Sequence, residues 1–120
     1  MRVEVQKLRP ALEVLSQEQL QRIRRHLQAG VKLLLGEEWQ LFVDGQGGAC
    51  LAAMAFYDVI PTDFRTGAVI RLKDGEKLWK LYAEMSQPGH YFEAALEDLK
   101  DPNDPKEVLE LVEEILKERG

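Results

Sequence analysis

Residues 39–58 read Trp-Gln-Leu-Phe-Val-Asp-Gly-Gln-Gly-Gly-Ala-Cys-Leu-Ala-Ala-Met-Ala-Phe-Tyr-Asp, and how they fold decides the architecture of this 120-residue chain. Nothing between Asp44 and Asp58 carries a formal charge, although 31% of the chain is charged. Ala49 and Leu51–Ala55 are good helix formers, and none is β-branched. A helix over residues 49–57 is therefore favoured over a return strand, although Trp39–Val43 has β-type composition and Asp44-Gly45 is a turn signal. Small apolar residues without a polar face suit an element that neighbours press on from every side. Val59-Ile60-Pro61 must end the helix, because the residue before a proline avoids helical dihedrals.

Outward from this stretch, the flanking segments are each apolar on one face. Leu8, Ala11, Leu12 and Leu15 make a helical stripe, and Pro10 places the helix start near it. Ser16 and Gln19 form a capping-box pair, with Leu15 and Leu20 at the two positions of a hydrophobic staple, so a second helix begins at Gln17. Its stripe (Leu20, Ile23, Leu27, Val31, Leu34) runs to Leu35. Gly30 interrupts it, marking either an early end or a close helix crossing. On the other side, Thr62–Gly67 reads as a loop. Ala68–Leu72 reads either as a short strand or as the first turn of the next helix.

Asp74 is a candidate N-cap for a helix carrying Leu78, Leu81, Tyr82 and Met85, which Gln87-Pro88-Gly89 breaks. Phe92, Ala95, Leu96 and Leu99 mark a further helix. After the break at Asp101–Pro105, Asp104 as N-cap, Pro105 and Glu107 open a last one with Val108, Leu111, Val112, Ile115 and Leu116 on one face. The expected fold is mainly α. It is a single compact domain over residues 1–120, with about five or six helices around a buried central segment and room for one short two-stranded β element.

A chain of this length buries roughly two thirds of its unfolded surface, enough for a core without staples. It contains no apolar run near the ~18 residues of a membrane span. Residues 1–7 lack an apolar signal core and there is one cysteine, so the expected location is cytoplasmic. The net charge of −5 is uneven: residues 1–35 carry +4 and residues 36–120 carry −9. Opposed halves of this kind attract each other within a domain or between subunits. An acidic whole argues against nucleic acid as a partner.

Chemistry has few candidates. Gly45, Gly47 and Gly48 precede Cys50; a helix starting near Gly48 would point free amides at the loop, hold an anion there and lower the pKa of the Cys50 thiol. A base would have to be His26 or His90, the two histidines of the chain. The loop lacks the Gly-Lys-Ser/Thr end of a phosphate cradle and the third glycine of a dinucleotide fingerprint. Gly48-Ala49-Cys50-Leu51-Ala52, with Tyr57 beyond, resembles a run near the nucleophile of bacteriocin-processing cysteine peptidases. That family's catalytic Asp-Cys-Gly falls here on Gly45-Gln46-Gly47, so the resemblance carries no nucleophile with it.

No spacing fits a metal, and no motif implies a cofactor. His26 is expected at the surface of a basic helix face, and His90 near a helix start. Arg22, Arg24, Arg25 and Lys32 form that basic face, which is either solvated or meets an acidic partner.

The function expected is that of a small non-enzymatic helical interaction or oligomerisation module, partnered by copies of itself or another protein. The alternative is a small thiol-dependent enzyme or anion-binding protein using Cys50 and the Gly45–Gly48 loop.

Overall fold

The segment from Leu51 to Phe56 is a helix, and five of its six residues, Leu51 to Ala55, are almost wholly buried. A computed structural model of the protein describes residues 1–62 and 72–120. In chain order it contains α1 (Val3–Gln6), α2 (Arg9–Glu13), α3 (Gln17–Gln28), a 3₁₀ segment (Gly36–Leu41), α4 (Leu51–Phe56), α5 (Leu72–Met85), α6 (Phe92–Asp98) and α7 (Asp104–Arg119). The fold is thus mainly α, with more helices than expected among the described residues because the first nine residues contribute the single turn α1. Helix α4 lies between α3 and α5, while α3 also packs along α7. The arm of α1 and α2 closes over α5, α6 and α7. The buried apolar residues form one cluster, in a molecule of 36 × 27 × 27 Å.

Helix α3 shows how local signals set this frame. The Ser16 hydroxyl accepts from the Gln19 amide at 3.1 Å, and the Gln19 side chain accepts from the Ser16 amide at 2.9 Å. Leu15 and Leu20 are both buried beside that cap. The helix then stops at Gln28, well short of Leu35. Gly30 takes the left-handed conformation (φ +84°). The Gly30 amide donates to the Leu27 carbonyl and the Val31 amide to that of His26, at 3.2 and 3.0 Å. This is a Schellman ending, and it releases Val31–Leu35 as extended chain.

Two expectations change around the central stretch. Trp39–Val43 does not form a strand: Trp39 lies in the 3₁₀ segment and stacks on Tyr82 with ring centroids 5.4 Å apart. Phe42 then turns the chain (φ 60°, ψ −55°), and the Val43 amide donates to the Leu41 carbonyl at 2.7 Å. That is a γ-turn of the strained, positive-φ kind. It sends the Phe42 ring edge-on to Trp79 and Tyr82. Aromatic burial has overridden β-propensity, which is mostly a preference for side-chain packing.

Among the described residues, β pairing is limited to two isolated bridges, both made by Ala49, to Leu33 and to Val43. Ala68–Leu72, read as a strand or as a first helical turn, and the Thr62–Gly67 loop fall largely outside the described residues, and Leu72 already belongs to α5. Asp74 accordingly sits within the first turn of α5 and is not its cap. Likewise Asp104 is the first residue of α7, where its carboxylate accepts from the Asp101 amide at 2.7 Å.

Candidate functional site

The glycine loop is built to hold a carboxylate, and the chain supplies its own. Asp44 Oδ1 accepts from the amides of Gln46 and Gly48 at 2.8 and 2.9 Å. Gly45 and Gly47 carry positive φ (78° and 95°), which lets the loop fold back over Asp44. Burial raises the Asp44 pKa, but those amides and the charge of Lys32 outweigh it and hold the carboxyl below its ordinary value. Gly45, Gly47 and Gly48 therefore surround an anion that is already part of the protein. The helix expected to begin near Gly48 begins at Leu51, and the Cys50 amide is taken by the Phe42 carbonyl at 2.8 Å.

Cys50 is buried at the N-cap position of α4. Burial pushes its pKa up to about 11, more than the amides of Ala53 and Ala52 draw it down. The thiol is thus held protonated near neutral pH, the reverse of the activation expected from a helix start. Neither histidine serves it as a base. His26, expected at the surface, is buried, and its Nε2–H donates to the Tyr57 carbonyl at 2.7 Å. His90 lies in the turn before α6, where its Nδ1–H donates to the Met85 carbonyl at 2.9 Å. Each imidazole closes a helix end, where unpaired carbonyls need donors.

The basic face of α3 meets its acidic partner inside the same chain. Arg22 donates to the Ala55 carbonyl at 3.2 Å and to Asp58 at 3.0 Å, and it also pairs with Glu18 at 2.7 Å. Arg25 reaches the same Asp58 oxygen at 3.3 Å. The Arg22 and Arg25 guanidiniums hold the Asp58 carboxyl below the usual range. Lys32 pairs with Glu38 at 3.5 Å. Arg24 lines a surface groove with Glu110, Glu113 and Glu114 of α7, and its Nε is buried without a hydrogen-bond partner among the described residues. Arg22 and His26 each satisfy one carbonyl at the C-terminal end of α4, and the Arg22 cation there also complements the helix dipole.

The same holds for two arginines of the N-terminal segment. Arg2 forms ion pairs with Asp101, Asp104 and Glu107, and Arg9 with Glu114 and Glu118. Much of the charge asymmetry of the two halves is thus spent within the domain, while Lys7 has no ion-pair partner among the described residues.

No known family matches this chain. No curated protein and no solved structure matches it either. The described residues include no group of three or more His, Cys, Asp or Glu arranged to hold a metal ion, and no helix long and apolar enough to cross a membrane.

The surface features that pattern reading missed are apolar. Tyr91 is 76% exposed and Trp79 57% exposed. Tyr91 stands on the rim of a groove of about 480 Å³ between the α1–α2 arm and α6, whose lining includes Lys7, Pro10, Ala94 and Asp98. It precedes α6 in the left-handed conformation (φ 52°, ψ 34°). Gly89 ahead of it was the available hint, but a lone aromatic in a turn has no periodicity to betray its exposure.

Proposed function

We propose that this chain is a non-enzymatic helical module that works through protein contacts, assembling with copies of itself. The observation that carries this reading is where its reactive and its sticky groups lie. Each candidate for chemistry is engaged internally: Cys50 is buried, the loop amides hold Asp44, and both imidazoles cap carbonyls. Large apolar side chains, by contrast, stand at the surface, among them Val3, Val14, Trp79 and Tyr91. Contiguous exposed apolar patches mark contact surfaces, and Tyr91 lies with Pro10 and Ala94 along one groove. Most of the opposed charge of the two halves lends no support to assembly, because Arg2, Arg9, Arg22, Arg25 and Lys32 pair within the chain. Gel filtration with light scattering tests the proposal. A species larger than the 13.7 kDa chain is expected, and a strict monomer at high micromolar concentration would remove it.

A further inference from the structure

The groove beside Tyr91 has two walls of opposite charge. Lys7 comes from the α1–α2 arm and Asp98 is the last residue of α6. Between them Pro10, Ala94 and Tyr91 supply apolar surface. The arm extends that surface. Lys7 and Leu8 make the short right-handed turn that joins α1 to α2. Val3 on α1 and Val14, just past the end of α2, are further apolar residues of the arm. Val3 is 67% exposed and Val14 is 42% exposed within the described residues.

Two further features are unfavourable in an isolated chain. Asp98 puts a carboxylate at the carbonyl end of α6, and the last turn holds no basic residue. Tyr91 keeps a left-handed backbone that a non-glycine residue adopts only at a cost in energy, and this conformation goes with a ring that stands in solvent. Neither Lys7 nor Asp98 has an ion-pair partner among the described residues, although the other acid–base contacts of the arm are made within the chain.

We infer that this groove is a two-fold docking surface for a second copy of the chain, in which Lys7 of each copy meets Asp98 of the other across the paired Tyr91 rings. The inference rests on the homo-oligomeric reading above and names its surface. A cation and an anion on opposite walls of one apolar patch make that patch its own complement, which is what an isologous contact requires. A peptide of single charge would satisfy one wall and be repelled by the other. The incoming ammonium also reaches the C-terminal end of α6, where a cation is favoured.

The test uses the full chain in sedimentation equilibrium. Lys7→Glu and Asp98→Lys should each weaken self-association at least tenfold, since each places like charges at both contacts. Mixing the two variants should restore a one-to-one dimer, because opposite charges then face each other at both contacts. Tyr91→Ala should weaken association by a similar factor, while far-UV circular dichroism stays that of the parent. An assembly that none of these changes perturbs would overturn the surface and leave the oligomeric reading standing. Variants that weaken association singly but do not recover on mixing would overturn the Lys7–Asp98 pairing. A parent that stays monomeric at high micromolar concentration would overturn both.

Discussion

The Asp44 carboxylate fills the space that a β-carbon on Gly48 would need: such a carbon would lie 2.7 Å from Oδ2 and 3.0 Å from Cγ. Gly48 is therefore required by close approach and not by a positive φ. Gly48→Ala should cost about 1–3 kcal/mol, as overpacking usually does, because Asp44 is tied to two amides and cannot swing away freely. Asp44→Ala should cost about 1–2 kcal/mol through the amides it leaves unpaired, toward the lower end because the carboxylate is partly solvated. The informative measurement is the urea-denaturation cycle. In the Asp44→Ala background, Gly48→Ala should become close to neutral, and additive costs would show that the two residues do not compete for the same space.

Cys50 offers a second check. With its pKa near 11, the folded protein should react with a thiol reagent at pH 7 only as fast as it opens. Labelling should accelerate in urea in step with unfolding. The linkage has a definite sign: a thiol raised from 9.0 contributes stability that is fully present below pH 9 and lost as pH rises through about 11. Fast labelling of native protein below neutral pH would bring the thiol-enzyme reading back.

Most of the core was legible in the sequence because burial leaves a periodic trace. The stripe from Val108 to Leu116 in α7, the Leu15–Leu20 staple and the all-round burial of Leu51–Ala55 follow from apolar spacing and capping chemistry alone. The aromatic cluster was not legible, because the γ-turn at Phe42 depends on Tyr82 and Trp79, which lie about forty residues away and leave no local signal. The basic face of α3 was visible as a pattern, but its partner, Asp58 beyond α4, is a long-range choice that one sequence does not record. The glycine loop shows the converse error. Glycines and free amides suggested an external anion, while the aspartate heading the loop, a residue that commonly bonds amides just ahead of it, already supplied one.

Gly30 separates backbone from packing. Its φ is +84°, and a β-carbon there would meet nothing within 4 Å. Gly30→Ala should therefore cost about 1–2 kcal/mol by conformation alone. Gly30→Asn should cost less, since asparagine tolerates the left-handed region best among the other residues. Thermal unfolding should show a drop of roughly 4–8 °C for alanine. Equal melting temperatures for parent and Gly30→Ala would mean that the helix can end without its Schellman glycine.

Acid should loosen the ion-paired carboxylates in a defined window. The Arg2 side chain and backbone amide hold Glu107 below its ordinary value of 4.5, and Arg22 with Arg25 holds Asp58 below 3.8. Groups shifted down contribute stability that is present above those ordinary values and lost as pH falls through the lower folded ones. The urea midpoint should accordingly be flat above about pH 5 with respect to these groups and fall below it. Asp58→Asn should flatten part of that fall. A variant as acid-sensitive as the parent would show that the Asp58 pairs are not felt in solution.

Arg22 and Arg25 share one oxygen of Asp58, yet they should not be equivalent. Arg25 is largely exposed and its described contact is that ion pair, of the kind that contributes little when solvated. Arg22 is more buried and also donates to the Ala55 carbonyl, one of those left unpaired at the end of α4. Arg22→Ala should therefore cost about 1–2 kcal/mol from the unsatisfied carbonyl and lost packing. Arg22→Lys should recover only part of this, since one ammonium cannot reproduce a guanidinium that spans Ala55, Asp58 and Glu18. Arg25→Ala should leave the urea midpoint nearly unchanged. High salt discriminates further: it should weaken the contribution of Asp58 while leaving most of the Arg22 effect, because a hydrogen bond to a carbonyl is screened less than an exposed ion pair. Equal losses for the two arginines, erased together by salt, would reduce Arg22 to a surface charge and leave the end of α4 without its cap.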